Sequence, residues 1–199
     1  MNTSIQIKFD ASGRAVSPKP PRMSGDERGG GGFGETALPA IRRQDRLLDD
    51  AGQERLLDEG EYGFLAMSTN AGGYGVPISF VREKTKDGRE ADRIYFHCAL
   101  AGRKIAALEK DNRVSFCVVG RTQVLPAQFS TAYESVMVFG RVAMRLSEEE
   151  RRAALRLLVK KYCPGVEAEG EAYAEKLFQR TRVLRLDIER RMGKRRVWA

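Results

Sequence analysis

The residues most able to do chemistry sit close together. His97 is the chain's one histidine, and it follows the apolar run Ile94-Tyr95-Phe96. Arg103 and Lys104 come just after the small-residue turn Cys98-Ala99-Leu100-Ala101-Gly102. Ile105-Ala106-Ala107-Leu108 then continues as a helix, so the stretch reads as strand, turn, helix. In that reading Arg103 and Lys104 fall in the first helical turn, where backbone N–H groups lack intrahelical partners and the helix dipole is positive. Two cations there oppose the dipole unless an anion lies between them. A phosphate resolves the conflict, because helix N-termini bind phosphate well. The residues therefore point to a phosphate-bearing ligand at 102–104 with His97 nearby, where an imidazole titrating near neutrality could move a proton. A histidine that merely ends a strand is the competing reading.

These residues need a scaffold, and the chain supplies mostly strands. Asp50-Ala51-Gly52-Gln53 resembles a capping box opening a short helix that ends near Gly60. Tyr62–Ser68 and Tyr74–Val81 read as strands joined by the tight turn Asn70-Ala71-Gly72-Gly73. Pro77 cannot donate to a ladder, which suits an edge, a bulge or a ligand-facing position. After a turn at Lys86-Asp87-Gly88-Arg89 come a strand over 93–98, the helix over 102–111 and a buried strand Arg113–Val119. Gly120–Tyr133 looks loop-like, and Ser135–Arg145 is a long strand. Ser147-Glu148-Glu149-Glu150 is a capping box for a helix ended by Pro164-Gly165, and 167–180 forms another helix. Val183–Glu189 is the last strand, followed by a basic tail with Arg190, Arg191, Lys194, Arg195 and Arg196. Strands outnumber βαβ units, so an antiparallel barrel with added helices is expected.

Residues 1–40 have a different texture. Ile5, Ile7 and Phe9 alternate with polar residues, which suggests a strand or hairpin, and Pro18, Pro20, Pro21 and the Gly29–Gly32 tract break regular structure. The expected organisation is an arm (1–16) and linker (17–40) before one domain over 41–199. Gly29, Gly31 and Gly34 formally match G-x-G-x-x-G, but no strand precedes them. The net charge of +8 favours anionic partners in general. Phe129, Tyr133 and Trp198 are not interleaved with basic residues, which argues against nucleic acid. Cys98, Cys117 and Cys163 make an odd count without C-x-x-C, so buried thiols in a reducing, cytoplasmic setting are expected and no metal site is. There is no signal-peptide core and no apolar run of membrane-spanning length.

Several segments together resemble the nitroimidazole-resistance (Nim-type) proteins of the pyridoxamine 5′-phosphate oxidase-like, FMN-binding split-barrel superfamily. They are Tyr74-Gly75-Val76-Pro77-Ile78-Ser79-Phe80, then Ile94–Ala99 with Gly102-Arg103-Lys104, then Val114–Gly120. Phe129-Ser130-Thr131, Tyr133–Val136, Val138–Arg141 and Gly193-Lys194 extend the match, which covers roughly 41–194. Arg190-Arg191-Met192 departs from the family's more neutral approach to the Gly-Lys pair. The resemblance implies an α+β fold, a six-stranded antiparallel Greek-key split barrel with flanking helices, and a homodimer with one FMN at each of two interface sites. It implies that Val76, Pro77, Ile78 and Ser79 line the flavin through backbone groups. Arg103 and Lys104 would take the phosphate, as the helix-terminus argument already suggested, and His97 would sit near the flavin as the functional histidine. Strand 115–119, with Val118 and Val119, and the pair Glu134-Ser135 would complete the pocket. The implied activity is reduction of a small oxidised substrate, nitroaromatic in the named family, by reduced flavin. Two other readings stay open: a flavin- or haem-binding storage or sensor protein without turnover, in which His97 could be an axial ligand, and a basic nucleic-acid-binding domain.

Overall fold

The structure, a computed structural model, describes residues 8–9, 15–16, 42–84 and 92–197. The chain divides into two units, Met1–Ala40 and Ile41–Ala199. In the first, strand β1 (Lys8–Phe9) pairs antiparallel with β2 (Ala15–Val16). Ile5, Ile7, the linker's prolines and glycines, the 86–89 turn and Trp198 lie outside the described residues.

The second unit begins with β3 (Leu47–Leu48) and helix α1 (Asp50–Glu59). The cap of α1 is Asp49 rather than Asp50: its carboxylate accepts from the Gly52 N–H at 2.8 Å. Gln53, expected to close a capping box, is buried and donates to the Leu48 carbonyl at 2.9 Å, tying α1 to β3. Strands β4 (Tyr62–Thr69), β5 (Gly72–Ser79), β6 (Val81–Glu83) and β7 (Arg93–Ala99) follow. Then come α2 (Arg103–Lys110), β8 (Arg113–Leu125), β9 (Ser130–Ala143), α3 (Glu148–Tyr162), α4 (Glu167–Lys176) and β10 (Thr181–Arg196). The ladder order is β5-β4-β8-β9-β10-β7-β6, every neighbouring pair antiparallel, with β3 added on β10.

β5 and β6 are one stretch of chain interrupted only at Phe80. The single run expected over 74–81 is thus two strands: the first half pairs with β4 and the second with β7. The ends of the sheet are therefore joined through the chain, and six walls enclose the core with a split where β5 parts from β7. β4, β5/β6 and β7 lie side by side in chain order, and so do β8, β9 and β10, with α3 and α4 filling the connection from β9 to β10. The crossover through α2 sets β4 beside β8 and β7 beside β10, which is the Greek-key arrangement.

Inward residues alternate along each wall: Leu65 and Met67, Ile94 and Phe96, Phe116 and Val118, Val136 and Val138, Leu184 and Leu186. Phe116 packs edge-on against Phe80 and Phe96, with ring centroids 4.9 and 5.1 Å away. Leu56 and Leu57 of α1 and Ile105 and Leu108 of α2 enter the same core. Outside the wall, α3 buries Ala154, Leu155 and Leu158 against Val81, Tyr95, Val183 and Phe178.

Two expectations are corrected. Gly120–Tyr133 is not a loop: β8 and β9 continue as a paired hairpin from Thr122↔Tyr133 to Leu125↔Ser130. A register skip between Val119 and Thr122 interrupts the alternation that would have shown it. The basic tail is not a free tail either. Arg190–Arg196 form the second half of β10, paired with Phe139–Tyr133 after a second skip between Ile188 and Arg190. At that bulge Asp187 lies so close to Gly140 that an added Cβ would sit 1.9 Å from its carbonyl oxygen. Arg191 reaches Glu54 of α1 at 3.3 Å, so charges that look solvated in sequence have a partner across the fold. The three cysteines are free and half-buried, and burial raises the Cys98 and Cys117 thiols.

Candidate functional site

The start of α2 is electrostatically unlike the starts of α1 and α3. α3 is capped by the Ser147 hydroxyl and opens on Glu148, Glu149 and Glu150, and α1 is capped by Asp49. α2 is preceded by Gly102, whose φ of +138° is a conformation L side chains rarely adopt. No side chain caps α2 and its first turn holds no acid. Arg103 is exposed and Lys104 half-buried. Neither forms an ion pair or side-chain hydrogen bond with any described residue. The start of α2 therefore carries free N–H donors and two cations without an acidic partner among the described residues, a donor set that fits a phosphate.

His97 lies on the outer face of β7, paired with Val183 of β10. Its surface is open to solvent, yet the wall crowds the ring enough that desolvation lowers its pKa, and Lys104 lowers it further. The same ammonium acts on Cys98 together with Arg182. Lys104 thus acts electrostatically on both neighbouring residues of β7.

β5 is the last strand of its side of the sheet, so one edge of its backbone is free of ladder bonds, as Pro77 suggested. Val76 and Ile78 point inward and pack on the core, while Pro77 faces out, opposite the half-exposed Phe64. The ladder with β7 ends at Val81↔Tyr95, and Ser79 pairs instead with Tyr62 of β4, on the other side of the split. Tyr162 of α3 pins this junction: its hydroxyl accepts from the Phe80 N–H at 2.8 Å and reaches the carbonyls of Phe80 (2.8 Å) and Glu61 (2.5 Å). Lys161 Nζ lies 4.0 Å over the Phe80 ring, and its burial lowers its pKa to about 8. Tyr162→Phe leaves these backbone groups without that partner. It is expected to cost about 1–2 kcal/mol and lower the melting temperature by a few degrees in a calorimetric scan. An unchanged scan means the pin contributes nothing to the split.

The remaining residues lie elsewhere. Val118 is 1% exposed and belongs to the core, so only its backbone could meet a ligand, whereas Val119 faces out and is 58% exposed. Glu134 is bonded to Arg55 at 2.6 Å, and Ser135 pairs with Val119 on β8 and Lys194 on β10. Val119, Glu134 and Ser135 thus share the β8–β9 part of the wall. Of the expected site residues, Lys104 lies close enough to His97 to act on its charge, while Val119 and Ser135 meet as ladder partners on β8 and β9. Tyr162 and Phe80 escaped the sequence reading: Tyr162 carries the periodicity of a helix core face, and nothing local marks it as a strand pin.

A family model described as pyridoxamine 5′-phosphate oxidase matches residues 49–195. None of the curated proteins compared matches the chain. Among solved structures, the chain is similar to a Bacteroides thetaiotaomicron protein assigned to 5-nitroimidazole antibiotic resistance, at 20% identity over 75% of this chain and 85% of that one, with a TM-score of 0.58. A FAD-binding protein from Mesorhizobium loti matches at 21% identity over 76% and 98%, TM-score 0.54. A FAD- and haem-binding protein from Mycobacterium smegmatis matches at 22% over 73% and 70%, TM-score 0.60. At these identities the likeness is one of fold.

Proposed function

From the premise that this chain belongs to the pyridoxamine 5′-phosphate oxidase family, we propose that it binds a flavin, FMN by preference, and uses it to reduce a small oxidised substrate such as a nitroaromatic compound. The observation that carries this reading is the uncapped, acid-free start of α2, with Arg103 and Lys104 unpaired among the described residues. These residues hold the phosphate, and the free edge of β5 over Val76–Ser79 offers backbone groups to the ring system. The flavin, when bound, supplies the redox chemistry. His97, in its protonated imidazolium form, supplies a proton to an oxygen of the reduced substrate and is left as neutral imidazole. The flavin- and haem-binding neighbours are consistent with such a ligand. The half-buried free thiols suit a reducing, cytoplasmic setting.

We further propose that two copies complete each site. Tyr62, Phe64 and Val119 are 64, 50 and 58% exposed on one outer face, and such apolar surface is expected to be covered by a partner. A second copy could also bring Val119, Glu134 and Ser135 to the other chain's His97. An absorption spectrum of the purified protein tests the ligand: flavin bands support the proposal, and a Soret band replaces it with the haem reading. Sedimentation with flavin counting tests the assembly, since a monomer holding one flavin per chain rules out the shared site.

A further inference from the structure

Where β9 ends and β10 begins lies a cleft of about 510 Å³, within the usual range of small-molecule sites. Val183 lines it and is the ladder partner of His97, so the cleft begins one strand from the histidine. Leu100, Met144 and Leu146 add apolar surface. The charged groups lining it are Arg145, Arg151 and Arg182 against the single carboxylate of Glu109. Arg151 is fixed in place: its Nη2 donates to the carbonyls of Phe178 and Thr181, both at 2.9 Å, and its guanidinium stacks 4.1 Å over the Phe178 ring. Those bonds orient the side chain without neutralising it. Arg145 and Arg182 form no ion pair with any described residue, whereas Arg55, Arg82, Arg152, Arg185 and Arg191 all do. Three guanidinium groups around a cleft with some apolar lining attract anions and can grip a carboxylate or phosphate in bidentate fashion.

We propose that this cleft binds a small amphipathic anion, a carboxylate or phosphate ester on an apolar body, and that its charged end is held by Arg145 and Arg182 while its uncharged end points toward His97. The second half of the proposal rests on the reductase reading above and makes the preferred substrate anionic. The cleft is too small for a folded partner or a nucleic-acid strand to enter.

The test uses 4-nitrobenzoate as the probe and 4-nitrobenzamide as its uncharged counterpart, with the flavin-loaded protein in calorimetric titration. The nitrobenzoate is expected to bind more tightly than the amide and to weaken with added salt. In the double variant Arg145→Ala/Arg182→Ala its dissociation constant should rise on the order of tenfold or more, with the amide unaffected. Glu109→Gln should act in the opposite direction and tighten nitrobenzoate severalfold. That gain cannot come from misfolding, so it guards against a double variant that is merely damaged. In turnover, the double variant should raise KM for nitrobenzoate and leave kcat unchanged. Equal binding of the two probes, or wild-type nitrobenzoate affinity in the double variant, overturns the cleft assignment. Charge-selective binding without any turnover keeps the cleft and rejects the reductase reading instead.

Discussion

In Lys104→Ala the dissociation constant for flavin is expected to rise on the order of tenfold or more. A hydrogen bond to a charged group contributes roughly 1.5–3 kcal/mol, and about 1.4 kcal/mol is tenfold in affinity. Lys104 is half-buried at the start of α2, where solvent screens it less than the exposed Arg103. Arg103→Ala should therefore weaken binding less. The same substitution carries a second readout. Lys104 contributes to the lowered pKa of His97, and removing a cation favours the protonated imidazolium, so the histidine should titrate closer to its ordinary value of ~6.5. Because the chain has one histidine, its NMR titration is unambiguous. An unchanged flavin titration would falsify the phosphate assignment. An unchanged histidine titration would show that Lys104 does not act on the ring.

Arg103 and Lys104 were legible in the sequence because their argument is local: three consecutive residues, a turn and a helix start are enough. The same holds for the cap of α3, where Ser147 and three glutamates announce the helix. What stayed hidden depends on residues far apart in the chain. At the break the Phe80 backbone bonds a tyrosine 82 positions later, and no pattern within 74–81 betrays that partner. The second half of β10 was masked by its charge, because its ladder bonds are backbone bonds and the acid that meets Arg191 sits on α1. The register skips after Val119 and Ile188 break the period-two alternation on which a strand reading depends. Arg82 is the extreme case: its side chain is almost fully buried and meets Asp92 and Asp58 from separate elements, whereas composition would have placed an arginine outside. For the site, the sequence supplied residue types and order. Which side chains face in, as Val76, Ile78 and Val118 do, and which share a wall, as His97 and Val183 do, follows only from the register.

His97→Gln is expected to preserve folding and flavin binding while slowing substrate reduction by roughly 10²–10⁴-fold, the usual contribution of general acid–base groups. The ring lies on the open outer face of β7, outside the hydrophobic core. A neutral, similarly sized replacement there should change stability by no more than about 0.5 kcal/mol. That separates the proton-donor role from a strand-end role, which requires the melting temperature to fall and the rate per flavin-loaded molecule to hold. The pH profile gives an independent check. A proton donor must be protonated to act, so the wild-type rate should fall as pH rises through the pKa of His97. Desolvation and Lys104 both lower that pKa, which places the step on the acid side of the ordinary histidine value. A phosphate bound at Lys104 offsets part of that cation's effect, so the step should lie at higher pH in the loaded protein than in the free one. The Gln variant should show no step at all. If single-turnover oxidation of the reduced flavin in His97→Gln matches wild type across this range, the proton reaches the substrate from another source, and the proposal of a flavin site at Arg103 and Lys104 stands without its histidine.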